Sequence, residues 1–410
     1  MSRGGDDIPP LRRDRRVQAW VVTDGISRAG DAAWLLGLAW TAAQVGGAHG
    51  AGLVIGIGTF PRALLTVFGG ALADRIDPRR TMVLSNLGRI LTLAVGVVVM
   101  TETPVTIPLL TAIAVVFGAI DALYRPASGT LPRQLVREED LGGVSGMLEL
   151  AQRLANFVGA PIGGLLIATA GLRSVMLVDI VSFIGLSVVL WIVLETRFPR
   201  PLVTGLSVFR QIGEGLGYIR RTDSVRTLVL ALSGLNLCAT PVLSVGLVLR
   251  AHGSHWSPAS LGLMEATIAV AAAAASACAI AWRPARSART GLLLLTIQAA
   301  ACVAVGFTPF VETFVAMAVV GVTAGLASVL LSAAFMRTVA PEYLGRTGSI
   351  LGLGDDALMP VATVAFSAMA AWASVAAACA VMGTTFAALV TWSATRPAFA
   401  APDRSPAVAG

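Results

Sequence analysis

The sequence predicts an all-α membrane protein with twelve transmembrane helices in two pseudo-symmetric six-helix bundles. Composition is the first observation: 56% of the 410 residues are hydrophobic and 13% are charged, whereas a soluble domain carries about 25% charged residues. The second is a series of long apolar runs, and the third is a set of features shared by the two halves. With so few charges, a soluble fold could not cover its surface with polar groups. The chain is therefore expected to fold in a lipid bilayer.

Twelve apolar runs of membrane-spanning length follow one another along the chain. A spanning helix needs about 20 mostly apolar residues. Strands of a β-barrel would be about 10 residues long with alternating polarity, and the chain lacks that pattern. The predicted runs are 18–44, 50–73, 81–101, 106–131, 143–169, 174–195, 226–250, 258–282, 290–309, 311–335, 343–368 and 371–393.

The runs divide the chain into five predicted regions. These are an N-terminal cytoplasmic tail at 1–17, an N-terminal six-helix bundle at 18–195, a cytoplasmic connector at 196–225, a C-terminal six-helix bundle at 226–393, and a C-terminal cytoplasmic tail at 394–410. In the connector, apolar residues recur at steps of three and four, which predicts an amphipathic helix at the cytoplasmic interface. Those residues are Leu206, Phe209, Ile212, Leu216 and Ile219.

The two halves share small features at equivalent positions. Ala48-His49-Gly50 precedes the second run and Ala251-His252-Gly253 precedes the eighth. Arg133 follows the fourth run, as Arg337 follows the tenth. Matching spacing in the two halves indicates two six-helix repeats, which is the construction of many secondary transporters.

The distribution of arginine predicts the orientation. The formal net charge is +7, and all 30 basic residues are arginine. Most of them lie in the segments on one predicted side, whereas the loops on the other side hold only Arg173 and Arg250. By the positive-inside rule, both termini are expected in the cytoplasm of a multi-pass protein of the cell membrane. Arginines placed between apolar runs, and not on one soluble face, disfavour nucleic-acid binding.

Ionisable residues inside the runs are candidate functional residues, because an unpaired charge in a bilayer costs several kcal/mol. In the first run, Asp24, Arg28 and Asp31 are spaced i, i+4 and i+7 and therefore share one helix face. Asp31 falls near the middle of that run. A carboxylate in a dry cavity has a raised pKa, and a nearby arginine lowers it. Asp31 is therefore the first candidate for proton coupling.

Other intramembrane charges leave alternatives open. Asp121 and Arg125 are a second candidate for proton coupling, but their i, i+4 spacing also allows a quiet intrahelical ion pair, and the same holds for Glu149 with Arg153. Asp355 in the eleventh run could be the coupling site instead, together with its neighbour Asp356. Two further acidic residues are expected to face an outer vestibule, without an assigned role; they are Asp179 and Glu265.

The end of the second run resembles the signature loop of the major facilitator superfamily. It reads Gly70-Ala71-Leu72-Ala73-Asp74-Arg75-Ile76-Asp77-Pro78-Arg79-Arg80, and Asp77 replaces the second glycine of the family pattern. The resemblance implies a charged latch that holds the inward-closed state. Its members would be Gly70, Asp74, Arg75, Arg79, Arg80 and, in the third run, Arg89. The alternative is a solvated loop that only sets the topology.

The fifth run contains Gly159-Ala160-Pro161-Ile162-Gly163-Gly164, which resembles the antiporter motif of drug exporters with its proline shifted by one position. The matching residues are Gly159, Pro161, Gly163 and Gly164, and the alternative is a small-residue packing face. Gly30-Asp31, Pro126-Ala127 and Leu131-Pro132 are similar to the branch of the family that includes siderophore exporters and macrolide-efflux proteins.

The family resemblance implies a secondary active transporter that works by alternating access. The expectation is proton-coupled efflux of a small amphipathic compound, such as a drug or secondary metabolite, by a monomer. A nutrient or siderophore importer on the same fold is the alternative, and a non-transporting membrane receptor or scaffold is a third. No P-loop, nucleophile elbow or metal-ligand cluster occurs in the sequence. No enzymatic activity, cofactor or metal is therefore expected.

Overall fold

The computed structural model describes residues 9–73, 77–198, 208–281, 284 and 286–399. Thirteen α-helices occur in these residues, with two short π-helical turns. In chain order they are α1 (Arg15–Ala73), α2 (Pro78–Glu102), α3 (Ile107–Thr130), α4 (Pro132–Leu135), α5 (Leu141–Val188) continued by a π turn (Val189–Val193), α6 (Val208–Arg221), α7 (Asp223–Pro241) continued by a π turn (Val242–Gly246), α8 (Leu247–Gly253), α9 (Pro258–Ala281), α10 (Ser287–Val305), α11 (Phe310–Thr338), α12 (Leu344–Trp372) and α13 (Val375–Ala394).

Two glycines divide the longest helices into pairs of membrane crossings. Gly47 in α1 has φ +57° and Gly171 in α5 has φ +75°. Both values lie in the left-handed region, which glycine enters without the steric cost of a Cβ. Residues 15–46 and 48–73 of α1 are therefore separate limbs, α1a and α1b. Residues 141–170 and 172–188 of α5 are likewise α5a and α5b.

The described residues make twelve crossings. Nine helical stretches are long and apolar enough to span a membrane, and one of them, Glu138–Val193, contains both limbs of α5. The two limbs of α1 complete the set. Large apolar side chains cover the outside of the bundle: Val181 is 68% exposed, Leu91 64% and Val361 62%. A water-soluble monomer rarely exposes contiguous apolar surface of this kind, so the predicted all-α membrane fold is confirmed.

The crossings form two six-helix bundles. The first consists of α1, α2, α3 and α5, and the second of α7 to α13, where α7 and α8 together make one crossing. The bundles meet along two seams, between α5 and α9 and between α1 and α12. Because successive crossings alternate in direction, the breaks at Gly47 and Gly171 lie at one end of the molecule. We call this the Gly47 end, and the opposite end the termini end.

The connector helix α6 packs on the second bundle at the termini end. The rings of Tyr218 and Tyr343 stack with centroids 4.2 Å apart, and the backbone N–H of Ala340 donates to the Tyr218 hydroxyl at 3.0 Å. Glu214 forms a 3.0 Å ion pair with Arg346 at the start of α12. The predicted amphipathic helix is present. On its apolar face, Ile219 is buried against Val339 of the second bundle, whereas Leu216 is exposed. Leu206 and the side chain of Phe209 lie outside the described part of the chain.

The N-terminal segment is anchored to the end of α5 at the termini end. Asp14 accepts backbone hydrogen bonds from Arg16 and Val17 at 3.2 and 3.3 Å, which caps α1. The same carboxylate forms an ion pair with Arg197. Burial acts to raise the pKa of Asp14, but the hydrogen bond and charge of Arg197 together with the backbone hydrogen bonds from Val17 and Arg16 outweigh it and hold this pKa below its usual 3.8. Arg197 in turn donates its backbone N–H to the Gln134 carbonyl at 2.8 Å.

Candidate functional site

A cavity of about 600 Å³ lies between the two bundles. The first bundle supplies most of its wall, from α1, α3 and α5, and the second bundle adds residues from α9 and from the π turn after α7. The wall combines apolar and aromatic side chains with a small number of charges. A volume of this size and a mostly apolar wall are typical of small-molecule sites.

On α1, Asp24 and Arg28 form a pair behind the cavity wall, as their helical spacing predicts. Arg28 Nε donates to Asp24 Oδ2 at 2.6 Å, and Arg28 also donates to the side-chain oxygen of Gln152 on α5. The Tyr124 hydroxyl donates to the other Asp24 oxygen at 2.7 Å. Asp24 is fully buried and is absent from the cavity lining. The pair therefore joins α1, α3 and α5, and only Arg28 reaches the cavity.

Arg89 of α2 lies in the interior of the first bundle. Its guanidinium pairs with Asp121 of α3 and lies over three aromatic rings, 4.4 Å from the Tyr124 centroid, 5.2 Å from Phe183 and 5.4 Å from Phe117. Cation–π contacts and an ion pair together allow an arginine to be 1% exposed at this depth. The resemblance placed Arg89 with the loop latch, but its contacts are with the wall of the cavity.

The pair of Asp121 with Arg89 corrects one sequence-based alternative. The intrahelical ion pair of Asp121 with Arg125 does not form, because Arg89 occupies the carboxylate. Arg125 is exposed to the cavity and has no hydrogen-bond or ion-pair partner in the part of the chain that the structure describes. The equivalent pair on α5 does form: Arg153 Nε donates to Glu149 Oε1 at 3.0 Å, and neither residue lines the cavity.

Asp31 lies in the cavity wall, one turn beyond Arg28. One of its carboxylate oxygens is buried, and the side chain makes no hydrogen bond or ion pair with any described residue. Its charged neighbours are Arg89, Asp121, Arg28, Asp24 and Asp179. Asp31 is therefore a half-buried carboxylate whose neighbours of opposite charge are already paired with other carboxylates.

Asp179 of α5b, which the sequence analysis assigned to an outer vestibule, lies behind α1 and not in a vestibule. It is fully buried and accepts from the Ser182 hydroxyl at 3.1 Å. A Cβ on Gly30 would overlap its carboxylate, so the glycine beside Asp31 allows this close approach. The signal in the sequence was Gly30-Asp31 in the first run together with an acidic residue in the sixth.

Glu265 of α9 is the charged contribution of the second bundle to the cavity. It lines the cavity together with Ser244 from the π turn and has no partner among the described side chains. The expectation of an outer vestibule was therefore wrong for Glu265 as well. A lone glutamate in an apolar run was the available signal, since such residues are functional candidates by default.

The acidic pair on α12 lies apart from the cavity. Asp355 accepts a hydrogen bond from Asn236 Nδ2 of α7 at 2.5 Å. Neither Asp355 nor its neighbour Asp356 lines the cavity. The structure therefore brings Asp31, Arg28, Asp121 and Arg125 together in one wall and leaves the α12 pair between α7 and α12.

The glycines of the antiporter-like motif face two different neighbours. A Cβ on Gly159 or Gly163 would overlap α1a within the first bundle. A Cβ on Gly164 would overlap the backbone of Pro258 at the start of α9, in the second bundle. On the other side of this seam, a Cβ on Gly262 would lie 2.8 Å from the Cα of Pro161. The motif thus forms part of the seam at the Gly47 end.

Part of the latch motif can be located. Asp74 and Arg75 lie outside the described residues, and Gly70 lies in helical backbone whose side-chain surroundings are not described. Asp77 caps α2 by accepting from the Arg79 backbone N–H at 2.9 Å, which is the role of the aspartate that replaces the family glycine.

The two arginines that end the motif differ in their contacts. Arg79 donates to the carbonyls of Leu190 and Trp191 at 2.5 and 2.6 Å and so caps the last turn of the sixth crossing. Arg80 is exposed.

Comparison with known proteins agrees with this fold. Residues 26–357 match the family model described as Major Facilitator Superfamily. The multidrug efflux pump Tap of Mycobacterium tuberculosis is 26% identical over 362 residues, which cover 83% of this chain and 84% of the pump. A protein of the same name from Mycolicibacterium fortuitum is 28% identical over 341 residues, covering 79% of this chain and 81% of the relative.

Solved structures of low sequence identity share the fold. A bacterial homologue of the iron transporter ferroportin, in an inward-facing state, superposes with a TM-score of 0.72 at 15% identity, covering 95% of this chain and 100% of that structure. A D-xylose–proton symporter superposes with a TM-score of 0.69 at 13% identity, covering 92% and 96%. With a family model that matches most of its length, the chain belongs to the Major Facilitator Superfamily and is a multi-pass membrane transporter.

Proposed function

We propose that this transporter exports a small amphipathic compound by alternating access and couples the export to proton entry. The observation that carries the proposal is Asp31, a carboxylate in the cavity wall without a hydrogen-bond or ion-pair partner among the described residues. The relatives named multidrug efflux pumps support the direction of transport.

The neighbouring ion pairs single out Asp31 as the proton site. Protonation of Asp24 would break hydrogen bonds with Arg28 and Tyr124. Protonation of Asp121 would leave the buried Arg89 without its carboxylate. Breaking a buried pair leaves an uncompensated charge, which costs about 3–5 kcal/mol. Protonation of Asp31 breaks no such pair, so among Asp24, Asp31 and Asp121 it is the carboxylate that can gain and lose a proton at the smallest structural cost.

The seams at the Gly47 end support a rocking motion. Besides the contact of Gly164 with α9, Gly52 and Gly56 of α1b lie against Ser367 and Val364 of α12. Trp40 of α1a meets His252 of α8 edge-to-face at 5.7 Å. Small residues let helices approach closely without interlocking. The proposed cycle would separate these surfaces and open the cavity towards the Gly47 end.

We propose a membrane topology that follows the predicted division of the chain. The bundles are residues 18–195 and 226–393, joined by a cytoplasmic connector at 196–225, with cytoplasmic tails at 1–17 and 394–410 and a monomer as the unit. The support is the arginine distribution, because the cytoplasmic face should be the richer one. Labelling of single cysteines at Thr103 and Phe307, both exposed at the Gly47 end, tests the orientation. If only a reagent inside the cell labelled these cysteines, the orientation would be the reverse of the proposed one.

The experiment for coupling uses purified protein in proteoliposomes with an imposed pH gradient and the membrane potential clamped. Ethidium fluorescence reports transport, and pyranine trapped in the lumen reports proton movement. Asp31→Asn should still bind ethidium but lose pH-driven transport and the accompanying proton flux. Glu149→Gln is the matched control, because it makes the same kind of chemical change at a residue that does not line the cavity. Undiminished pH-driven exchange by Asp31→Asn would remove Asp31 from the mechanism.

A further inference from the structure

Two opposite charges in the cavity are not used by the mechanism above. Glu265 projects from α9 of the second bundle, and Arg125 projects from α3 of the first. Neither has a hydrogen-bond or ion-pair partner among the described side chains. The other two described arginines of this region are occupied, Arg28 by Asp24 and Arg89 by Asp121.

The position of Glu265 follows from the packing of α9. Gly262, three residues earlier, faces the first bundle, because a Cβ there would overlap the backbone of Ala160 on α5. Residues three apart on a helix lie on nearly the same face. Glu265 therefore points across the divide between the bundles, immediately inside the seam at the Gly47 end.

The position of Arg125 follows from the pairing of α3. Asp121, one turn earlier, is turned to Arg89 in the interior of the first bundle. Arg125 is left with its guanidinium in the cavity and exposed. Among the described side chains, the cavity thus has one unpaired cation and one unpaired anion on opposite bundles, in addition to the carboxylate of Asp31. Trp34 and Phe117 contribute aromatic surface to the same cavity.

We propose that the cavity selects dipolar compounds, with a cationic nitrogen bound by Glu265, an oxyanion such as a carboxylate bound by Arg125, and an aromatic or apolar body against Trp34 and Phe117. The proposal rests on the proposed function in that it concerns the same cavity and its transported compound. An opposite charge stabilises an ionised group that faces a largely apolar cavity, and one dipolar ligand supplies both charges. Because Glu265 and Arg125 belong to different bundles, such a ligand also links the two bodies that move.

The test compares three dyes that share a xanthene ring system and differ in charge. Rhodamine 110, whose amino groups carry N–H donors, is a zwitterion at neutral pH, its methyl ester rhodamine 123 is a cation, and fluorescein is an anion. Binding to the purified full-length protein in detergent is measured by fluorescence anisotropy at constant pH, without a gradient. The variants are Glu265→Gln and Arg125→Gln, and the matched controls are Glu149→Gln and Arg153→Gln, which make the same changes on the α5 surface.

The wild-type protein should bind the zwitterion more tightly than the ester or fluorescein. Glu265→Gln should weaken the binding of the zwitterion and of the ester by roughly 10- to 100-fold, the usual range for losing a hydrogen bond to a charged group. It should leave the binding of fluorescein unchanged. Arg125→Gln should weaken the binding of the zwitterion and of fluorescein and leave the binding of the ester unchanged. The control variants should bind all three dyes as the wild type does.

Two results would overturn the proposal: equal losses for all three dyes in either cavity variant, or wild-type affinity for the zwitterion in both. Glu265→Asp, which keeps the charge, should restore much of the binding of the ester and so separates recognition from misfolding. Charge-indifferent binding by a protein that still shows pH-driven exchange would refute the dipolar site alone. Loss of coupling with charge-dependent binding intact would refute only the proton mechanism.

Discussion

A substitution of Gly164, in the seam between α5 and α9, tests the proposed alternating access. A Cβ at this position would overlap the Pro258 carbonyl oxygen and lie 3.2 Å from the Cα of Ala259. These are backbone atoms at the start of a helix, so they cannot move aside as a side-chain tip would. Gly164→Ala therefore has to push α5 and α9 apart at the Gly47 end.

The expected size of the effect follows from the cost of overpacking. Inserting a methyl group into a close-packed contact costs about 1–3 kcal/mol. Only the conformation with this seam closed bears that cost, because the seam is absent once the bundles separate there. The ratio of conformations open and closed at the Gly47 end should therefore rise by a factor of about 5 to 150.

Double electron–electron resonance can measure that ratio. Spin labels at Thr103→Cys and Phe307→Cys, in a background without the four native cysteines, report the distance between the bundles at the Gly47 end. Gly164→Ala should increase the population with the longer distance. Gly185→Ala is the control, because a Cβ there meets no atom within 4 Å. A distance distribution identical to that of the control would refute the assignment of this seam as the closed gate.

Three further predictions concern stability, each measured by thermal unfolding of the purified protein in detergent. Tyr124→Phe leaves one oxygen of the fully buried Asp24 without its donor and should cost about 1–3 kcal/mol; an unchanged melting temperature would contradict that network. Asp14→Asn should cost about 1–3 kcal/mol at neutral pH by weakening the pair with Arg197. Since the folded pKa of Asp14 is lowered, this stabilisation is present above pH 3.8 and is lost as the pH falls through the folded pKa. If the difference in stability between Asp14→Asn and the wild type grew on acidification, it would contradict a lowered pKa of Asp14 in the folded protein. Arg79→Ala should lower the melting temperature by removing two hydrogen bonds to the end of the sixth crossing, whereas Arg80→Ala, on an exposed side chain, should not; equal effects would contradict the cap.

The course of the chain through the bilayer was readable from the sequence because hydrophobic length determines it. Each predicted run overlaps a crossing, and the breaks at Gly47 and Gly171 fall between predicted runs. The amphipathic helix α6 was predictable from its spacing of apolar residues. Its docking on α12 was not, because the stacking partner Tyr343 lies far away in sequence.

The charges show where reading one helix at a time fails. Spacing alone gave Asp121 a partner at i+4, Arg125, and that partner was wrong. The competing Arg89 comes from another helix, and aromatic rings from α3 and α5 surround it. For Asp24 and Arg28 the local pair is correct, because no other described cation competes for Asp24.

Glu265 was misplaced for a different reason. Glu265 is the one charged residue of helix α9, and apart from a few hydroxyl side chains the rest is apolar. The helix therefore has no clear amphipathic face from which its rotation could be deduced. The direction of Glu265 is set by the close contact of Gly262 with α5, which is a property of the assembled bundles.

The π turn at Val242–Gly246 contains one residue more than an α-helical turn would at this place in the seventh crossing. It follows Pro241, which lacks the N–H that a regular helix would use there. If that turn tightened to α-helical hydrogen bonding, the segments on its two sides would twist relative to each other by about 100°, the angle of one residue in a helix. Ser244 would then leave the cavity wall and another side chain would replace it, while His252 would turn against Trp40. A single helix could thus exchange the surface it offers to cargo without changing its path through the membrane.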